Sequence, residues 1–435
     1  MADTMARSTD VTAEVTGWLE EYWDPDLTVE EWWERLCDSG WGAPTLPVEW
    51  CGRGLSREDG VRVQAAIAKF GALGPPQGLG TLLAAPTIAV HGTDEQKQRY
   101  IRDTVSGKKA WAQLFSEPGA GSDLAGLGTR AIKDGDHWIV NGQKVWTSGA
   151  QIADLGMLLA RTDPDVPKHQ GISYFALDMH QDGIEIRPLR ELTGRAMFNE
   201  VFLTEAVAED AAAIGGVNNG WAVANTTLMF ERAGLGAGGS GGGGASAAAG
   251  SVAGDLGKRA GDFARPASAA RAARTGVAAG PDMLVKLAQE NGAIDDATVR
   301  QDLARLYTLN EIARYTNLRT KALRAQGKEI PGAGNMAKLS MSRILRLSRD
   351  VSLRIIGPYG TLHAYTDADR EALWAATGEP RHSGLTEGAL FASGPSIYGG
   401  TDEIQHNIIG ERALGLPKEP NSDRITPYKD LPKNG

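Results

Sequence analysis

The sequence predicts an α+β multidomain protein with an N-terminal helical domain, a middle antiparallel β-sandwich or barrel domain and a C-terminal helical bundle. Three observations support this prediction. Helical signals fill residues 1–110, short strand-like runs separated by turns fill 111–215, and a three- and four-residue apolar period returns in 216–435. The length of 435 residues agrees with two or three domains.

In the first segment, two helix starts are recognisable. The run Thr-Val-Glu-Glu at 28–31 has the form of a capping box, in which a threonine begins the helix and a glutamate follows three residues later. This helix would continue through Trp32 and Trp33. The run Gly-Thr-Asp-Glu at 92–95 begins another helical stretch that extends toward Tyr100.

The middle segment alternates apolar and polar residues over short runs. Residues 131–133 and 137–140 flank an Asp-Gly-Asp turn, which is typical of a β-hairpin. Further strand candidates follow at 156–160, 172–177 and 184–186. Short strands without a helical pattern between them favour an antiparallel sandwich or barrel.

Helical periodicity returns in the last segment. Apolar residues three and four positions apart predict a helix of about 299–325, and a second series predicts another from Leu339 to Ile355. Two long amphipathic helices favour a bundle. A glycine-rich stretch, 233–251, interrupts this domain, and we interpret it as a flexible insert, because each glycine costs a helix about 1 kcal/mol relative to alanine.

The composition excludes several classes of protein. A net charge of −9 argues against nucleic-acid binding, and the seven scattered histidines show no metal-ligand spacing, so no metal is expected. Two cysteines, Cys37 and Cys51, exclude a disulfide scaffold and suit a reducing cytoplasm, where we expect the protein. No apolar run approaches the ~18 residues of a membrane helix, and residues 1–20 lack a signal-peptide pattern.

Two polar stretches contain the residues best suited to chemistry. Residues 116–123 read Ser-Glu-Pro-Gly-Ala-Gly-Ser-Asp, and residues 141–148 read Asn-Gly-Gln-Lys-Val-Trp-Thr-Ser. A glycine-rich turn can present backbone N–H groups to a phosphate or to the edge of a flavin, and a tryptophan beside hydroxyls can stack on a flat ring. Taken singly, a loop without a cofactor and a core tryptophan are the ordinary interpretations.

Together and in this order, the two stretches resemble the flavin-domain signature of the acyl-CoA dehydrogenase family. Further agreement comes from Asn219-Gly220-Trp221 and from the run Thr-Asp-Glu-Ile-Gln at 401–405. The resemblance extends over roughly 12–420 and is weak in 233–300 and 370–395. It implies the fold of that family: N-terminal helices, a middle β-domain and a C-terminal four-helix bundle, with FAD bound between domains and across a subunit interface.

The resemblance also implies a reaction. A base removes the α-proton of an acyl-CoA thioester, the β-hydrogen leaves as hydride to the flavin, and a 2,3-enoyl-CoA forms. Electrons then pass to an electron-transfer flavoprotein. By position in the family motifs, the expected FAD contacts are Phe115, Ser116, Gly121, Ser122, Trp146, Ser148, Thr401 and Glu403, with Ser122 also near the CoA.

The usual catalytic glutamate of the family is missing. The family motif is Ile-Tyr-Glu-Gly-Thr, whereas residues 397–401 read Ile-Tyr-Gly-Gly-Thr, which places Gly399 at the carboxylate position. A minority of the family, the isovaleryl and long-chain branches, carry the base in a Glu-Arg pair at the start of the bundle. Glu231-Arg232 stands at that place. We therefore predict Glu231 as the base, and we expect the Gly399 N–H to help bind the thioester carbonyl.

Arg232 and Tyr398 are expected near the substrate. Without the family context, Glu231 would be interpreted as a solvated helical glutamate in a salt bridge.

Two other functions stay open. The Arg-x-x-Phe-Gly element that normally contacts the FAD of the neighbouring subunit is absent, since Gln-Glu-Asn-Gly occupies 289–292. Paired actinobacterial members of the family, some of which act on steroid side-chain CoA thioesters, form α2β2 tetramers in which one chain type lacks functional residues. The chain is thus either a homo-oligomer active in fatty-acid or steroid oxidation, or a non-catalytic or half-site subunit of a hetero-oligomer. The second open function is that of an acyl-CoA oxidase, which would pass electrons to O₂.

Overall fold

The computed structural model describes residues 10–236, 247–264 and 280–432. The N-terminal domain is helical, as expected. Both predicted helix starts are present as capping boxes, at Thr28 and Thr93. Trp32 and Trp33 are fully buried, and their indole N–H groups donate to the carbonyls of Leu73 at 2.6 Å and Gly74 at 2.9 Å. The helices are α1 (Val11–Tyr22), α2 (Val29–Ser39), α3 (Arg57–Phe70), α4 (Ala85–His91) and α5 (Asp94–Val105).

The middle domain is a β-sheet, as predicted. Its strands are β1 (Trp111–Leu114), β2 (Arg130–Asp134), β3 (His137–Lys144), β4 (Leu155–Arg161), β5 (Ile172–Asp178), β6 (Ile184–Leu189) and β7 (Phe198–Glu209). In the described part of the chain they form a seven-stranded sheet in the order β1-β4-β2-β3-β7-β6, with β5 paired to β4. The predicted turn at 134–136 joins β2 and β3 in antiparallel register.

The sheet differs from the predicted antiparallel arrangement at β4. This strand pairs in parallel with β1 along its first residues and with β2 at Arg161. A parallel pair requires a long crossover connection, which residues 115–154 supply between β1 and β4. The alternation of apolar and polar residues along a strand does not indicate whether the neighbouring strand is parallel or antiparallel, and this explains the difference.

The C-terminal part is a helical bundle around one central helix. Its helices are α6 (Gly220–Gly236), α7 (Pro281–Glu290), α8 (Ala297–Arg324), α9 (Ala333–Ile356), α10 (Asp367–Thr377), α11 (His382–Phe391) and α12 (Asp402–Ile408). Helix α9 contacts α6, α7, α8, α11 and α12. Helices α8 and α9 correspond to the two long helices that the apolar period predicts, and Leu303 and Val351 of these helices pack in one core.

The structure describes both ends of the predicted glycine-rich insert at 233–251, which itself stays a prediction. Helix α6 continues to Gly236, and residues 237–246 lie outside the described residues. On the far side Ala247 is buried in the core of the N-terminal domain, and the Gly250 N–H donates to Gly107 O at 2.8 Å. No local pattern predicts these contacts, because a run of small residues lacks both periodicity and turn signals.

The predicted domain boundaries after 110 and 215 stay predictions, with β1 beginning at Trp111 and α6 at Gly220. Of the helices in the described ranges, none is both long and apolar enough to cross a membrane.

Candidate active site

A buried ion pair closes the first polar loop. Lys144, at the end of β3, is fully buried, and its ammonium donates to Glu117 Oε1 at 2.8 Å and to Phe115 O at 3.1 Å. The Glu117 carboxylate also accepts from the N–H groups of Gly128 at 2.7 Å and Thr129 at 2.9 Å. Burial alone would raise the pKa of Glu117, but these donors outweigh it and lower the pKa. The loop is thereby tied to the sheet at both of its ends.

The tip of this loop faces solvent. Glu117 and Ala120 exchange backbone hydrogen bonds of 3.0 and 3.1 Å, which form a tight turn. Gly121 and Ser122 follow and are exposed, whereas Ser116 is partly buried and its carbonyl accepts from the Val145 N–H at 2.9 Å. The turn therefore presents Gly121 and Ser122 outward, while Ser116 stays next to the second polar stretch.

Trp146 is an exposed aromatic ring in an unusual backbone conformation. Its φ is +60°, in the left-handed region, and its side chain is 60% exposed. The ring meets that of Phe198 in a T-shaped contact, with ring centroids 5.8 Å apart. Next to it Thr147 is fully buried, and its Oγ1 has no hydrogen-bond partner among the described residues. Ser148 is partly buried. An open ring face and an unsatisfied hydroxyl suit a flat polar ligand.

Helix α6 holds Glu231 against the base of the first loop. Gln113 lies on β1, two residues before Phe115, and its Nε2 donates to Glu231 Oε2 at 3.3 Å. Burial raises the pKa of Glu231, and the Gln113 bond and the charge of Arg232 offset only part of this shift. Glu231 is therefore a partly buried carboxylate with a single side-chain donor among the described residues, unlike the solvated glutamate of the ordinary interpretation.

Helix α6 is anchored near its middle. The hydroxyls of Thr227 and Thr87 lie 3.0 Å apart, and His91 Nε2 lies 2.8 Å from Thr226 Oγ1. Phe230 packs against the core that contains α4 and β5. These contacts fix the orientation of the helix immediately before Glu231.

The loop from Tyr398 to Thr401 is shaped for glycine. Gly399 and Gly400 have φ values of +65° and +80°, which side-chain-bearing residues adopt at a cost of roughly 1–2 kcal/mol. Gln405 Nε2 donates to the carbonyl of Gly399 at 2.8 Å and to that of Gly400 at 3.2 Å. Thr401 caps α12 through the Ile404 N–H at 3.2 Å. The backbone at these two positions therefore suits glycine.

The predicted residues form two groups. The first lies along the loop that begins at Phe115, and the second is the Gly399 loop. Glu231 meets the Phe115–Ser116 segment through Gln113, and Trp146 and Ser148 closely follow the Val145 that bonds to Ser116. In the described part of the chain, no hydrogen bond or ion pair joins the Gly399 loop to Glu231.

Of the remaining predicted residues, Arg232 follows Glu231 on α6, and Tyr398 and Glu403 flank the Gly399 loop in the chain. Arg232 is partly buried, and Arg412, beyond α12, is near enough to help burial lower its pKa. Burial raises the pKa of Tyr398, and Glu403 is exposed.

Sequence reasoning missed Gln113, Glu117 and Lys144 as site residues. Glu117 and Lys144 lie inside the two motifs, so the motifs themselves signal them. Gln113 has no such signal, since only its place on β1 puts it beside Glu231. No cluster of His, Cys, Asp or Glu able to hold a metal ion occurs within residues 10–236, 247–264 and 280–432.

A helical domain, a β-sheet domain with an exposed ring beside a glycine loop, and a helical bundle define a three-domain dehydrogenase. Three family models match accordingly: the N-terminal domain of acyl-CoA dehydrogenase over residues 5–108, the middle domain over 112–206 and the C-terminal domain over 258–414. The chain therefore belongs to the acyl-CoA dehydrogenase family of FAD-dependent oxidoreductases, and this confirms the resemblance.

Individual relatives agree with the family. The acyl-CoA dehydrogenase IpdE1 of Mycobacterium tuberculosis is 34% identical over 388 residues, covering 89% of this chain and 88% of that protein. The acyl-CoA dehydrogenase FadE34 of the same organism is 49% identical over 203 residues, covering 47% of this chain and 28% of its own length.

Solved structures share the fold. The Tcur3481-Tcur3483 steroid ACAD has a TM-score of 0.67 at 24% identity, covering 94% of this chain and 97% of that one. The ChsE4-ChsE5 complex from Mycobacterium tuberculosis has a TM-score of 0.64 at 25% identity, covering 95% and 100%.

Proposed function

We propose that this chain catalyses the flavin-dependent α,β-dehydrogenation of an acyl-CoA thioester, with Glu231 as the base. The observation that supports it most is the environment of Glu231. Its carboxylate is held 3.3 Å from Gln113 Nε2 at the base of the glycine-rich loop, and burial raises its pKa. A desolvated carboxylate is a stronger base than a solvated one, which abstraction of a weakly acidic α-proton requires.

The residues present fit FAD. Trp146 offers an open ring face, and the buried Thr147 Oγ1 lacks a protein partner within the described residues. Phe115, Ser116, Gly121, Ser122 and Ser148 belong to the two polar stretches, which the Val145–Ser116 hydrogen bond joins, and would contact FAD from the β-domain. Thr401 and Glu403 would contact it from the bundle. When bound, FAD supplies the acceptor for the two electrons that leave the substrate.

Gly399 would stabilise the charge that develops on the thioester oxygen. Among the described residues no acceptor takes the Gly399 N–H, so this donor is available to a ligand. Gln405 holds the Gly399 carbonyl and thereby orients the peptide group. A preorganised N–H donor at a developing oxyanion is a recurrent way to lower such a barrier. Tyr398 and Arg232 would line the approach of the acyl-CoA.

Glu231→Gln tests the base. The variant should keep bound FAD but slow its bleaching by acyl-CoA about 10²–10⁴-fold, the usual contribution of a general base. Glu58→Gln, on the exposed face of α3, is the control and should bleach at the wild-type rate. Bleaching at full rate in Glu231→Gln would assign the base to another residue.

A second candidate function, a subunit of a hetero-oligomeric acyl-CoA dehydrogenase, has its own support. Four large apolar residues share one side of α8 and are each 50–60% exposed: Tyr307, Ile312, Tyr315 and Leu318. The ChsE4-ChsE5 complex, which has a similar fold, contains two different chain types. A partner chain would cover the α8 residues and supply the FAD contacts that 289–292 lack. The chain should then bind FAD fully only when co-expressed with a homologous chain, and a yellow, active homo-oligomer would contradict this.

The substrate and the electron acceptor can be tested with the same assay. The chain shares its fold with a steroid ACAD, so a steroid side-chain CoA thioester is the substrate that we propose ahead of a straight-chain fatty acyl-CoA. In a panel of both substrate types, the steroid thioester should bleach the flavin faster. Turnover with an electron-transfer flavoprotein and no peroxide release would support a dehydrogenase, whereas peroxide release in air would indicate an oxidase.

A further inference from the structure

The end of the chain returns to the β-domain. Residues 415–432 lie beyond the 258–414 segment that the C-terminal family model matches. The Tyr428 N–H donates to Val166 O at 2.9 Å, and the Lys429 N–H donates to Pro164 O at 3.0 Å. These backbone bonds attach the tail to the loop between β4 and β5, on the side of the sheet that carries the first polar loop.

Tyr428 covers a buried arginine that holds this loop. Arg161, on β4, is 3% exposed, and its guanidinium donates to the carbonyls of Ala125 at 2.6 Å and Leu127 at 3.3 Å. The Tyr428 ring stacks over the guanidinium at 3.8 Å, and its hydroxyl donates to Gly126 O at 3.4 Å. Burial lowers the pKa of Arg161 to about 10, so it remains charged at neutral pH. Three consecutive carbonyls of the loop thus depend on Arg161 and Tyr428.

Asp423 makes a second attachment through a shared lysine. Lys168 Nζ donates to both carboxylate oxygens of Asp123 at 2.9 Å and to Asp423 Oδ2 at 2.5 Å. Asp123 ends the motif at 116–123, and the Lys168 side chain is 8% exposed. One buried lysine therefore joins the motif to the tail through two partly exposed carboxylates.

We propose that Tyr428 and Asp423 are positioning residues, which hold the loop 116–128 in the conformation that binds FAD and acyl-CoA. The proposal rests on the proposed function for the identity of the ligands. Neither residue needs to touch a ligand: Tyr428 keeps water from the Arg161 guanidinium, and Asp423 fixes Lys168 against Asp123. A loop held in its binding conformation loses less entropy on binding, so loosening it weakens binding and leaves the proton transfer unchanged.

The test compares three substitutions in the full-length chain, purified in its native assembly. Tyr428→Ala removes the ring, Tyr428→Phe keeps the stacked ring and loses the hydroxyl, and Lys429→Ala removes only the exposed ion pair with Asp165. The readouts are the Kd of FAD by fluorescence titration, amide hydrogen exchange at 124–128, and kcat and KM with acyl-CoA.

We expect Tyr428→Ala to raise the Kd of FAD and the KM about 10-fold, as loss of a desolvated cation–π contact would, with kcat within about 2-fold. Exchange at 124–128 should rise by a similar factor. Tyr428→Phe and Lys429→Ala should stay close to wild type, because the ring remains in the first and exposed ion pairs contribute little in the second. Asp423→Asn should give a smaller effect of the same kind.

Unchanged FAD affinity and exchange in Tyr428→Ala would overturn the proposal, and so would an equal defect in Tyr428→Phe, since the stacked ring would then not be the cause. A fall in kcat alone would also overturn it, because positioning for binding acts on Kd and KM. If the wild-type assembly binds no FAD, the proposed function fails, and hydrogen exchange still decides whether the tail holds the loop.

Discussion

The two halves of the candidate site differ in how far a single chain completes them. In the β-domain, the Glu117 carboxylate has three donors, and Lys144 is fully buried against it. In the bundle, Gly399 has no side chain, and one side of α8 exposes large apolar residues. The β-domain half is organised by buried charges within the chain, whereas the bundle half has surface that a partner would cover. Substitutions in the first should therefore act on the chain itself, and substitutions in the second on assembly.

Lys144→Met should have the largest effect. It leaves the Glu117 carboxylate, whose side chain is only 12% exposed, without its ammonium partner, and removal of one partner of a buried pair costs about 3–5 kcal/mol. We expect the free energy of unfolding to fall by that amount and FAD binding to be lost. Urea unfolding and the flavin content of the purified protein measure the two effects.

Lys133→Met is the matched control for that substitution. Lys133 lies on β2 of the same sheet, but its side chain is 39% exposed and its partner Asp210 is 46% exposed, so its loss should change stability by less than about 1 kcal/mol. Equal effects of the two substitutions would show that the Lys144–Glu117 pair does not organise the loop.

Substitutions on the exposed side of α8 should weaken association between chains and leave the stability of the chain unchanged. Tyr315→Glu combined with Leu318→Glu places charges on an exposed apolar surface, so the folded chain should keep its stability. Association should weaken about 30-fold or more, since a central interface residue contributes about 2 kcal/mol. Light scattering across a dilution series measures the association, and circular dichroism checks the fold.

Val61→Glu serves as the control for the α8 variant. Val61 is 55% exposed on α3, which is comparable to the residues on α8, but it lies in the N-terminal domain. It should leave the assembly intact. If the assembly survives the α8 substitutions as well, the bundle surface is not a subunit interface.

Local pattern accounts for what can be predicted from the sequence. The β2–β3 hairpin and the capping boxes at Thr28 and Thr93 are predictable because each is specified by a few neighbouring residues. The parallel pairing of β1 and β4 and the contact of Tyr428 with Arg161 join residues far apart in the chain. Such long-range contacts do not affect the local hydrophobic periodicity or the residues in turns, so sequence patterns do not predict them. The same limit hides Gln113, whose role depends on its hydrogen bond to Glu231, 118 positions further along the chain.

Two carboxylates, one in each half of the site, give the most direct comparison, and the change expected at Glu231 is the smallest of the predicted effects. The pKa of Glu117 is lowered in the folded chain and that of Glu231 is raised. A lowered pKa gives stability that is present above the ordinary value and lost as the pH falls through the folded one. A raised pKa gives stability that is present below the ordinary value and lost as the pH rises through the folded one.

At neutral pH, Glu231→Gln should therefore unfold at a higher urea concentration than wild type, because it removes the burial of a charge, and the gain should shrink as the pH falls toward 5. Glu117→Gln should lose stability at neutral pH, and its deficit should persist down to pH 5, because the pKa of Glu117 is lowered below its ordinary value and the contribution is lost only as the pH falls through the folded one. Urea midpoints between pH 5 and 8 measure both.

Curves of the same sign for the two variants would mean that Glu231 is as well solvated or paired as an ordinary glutamate. Burial would then not raise the pKa of Glu231, so this outcome would remove the physical reason for choosing Glu231 as the base. Opposite signs would show that the fold keeps one carboxylate charged for structure and holds the other at a cost in stability, as a base for proton abstraction requires.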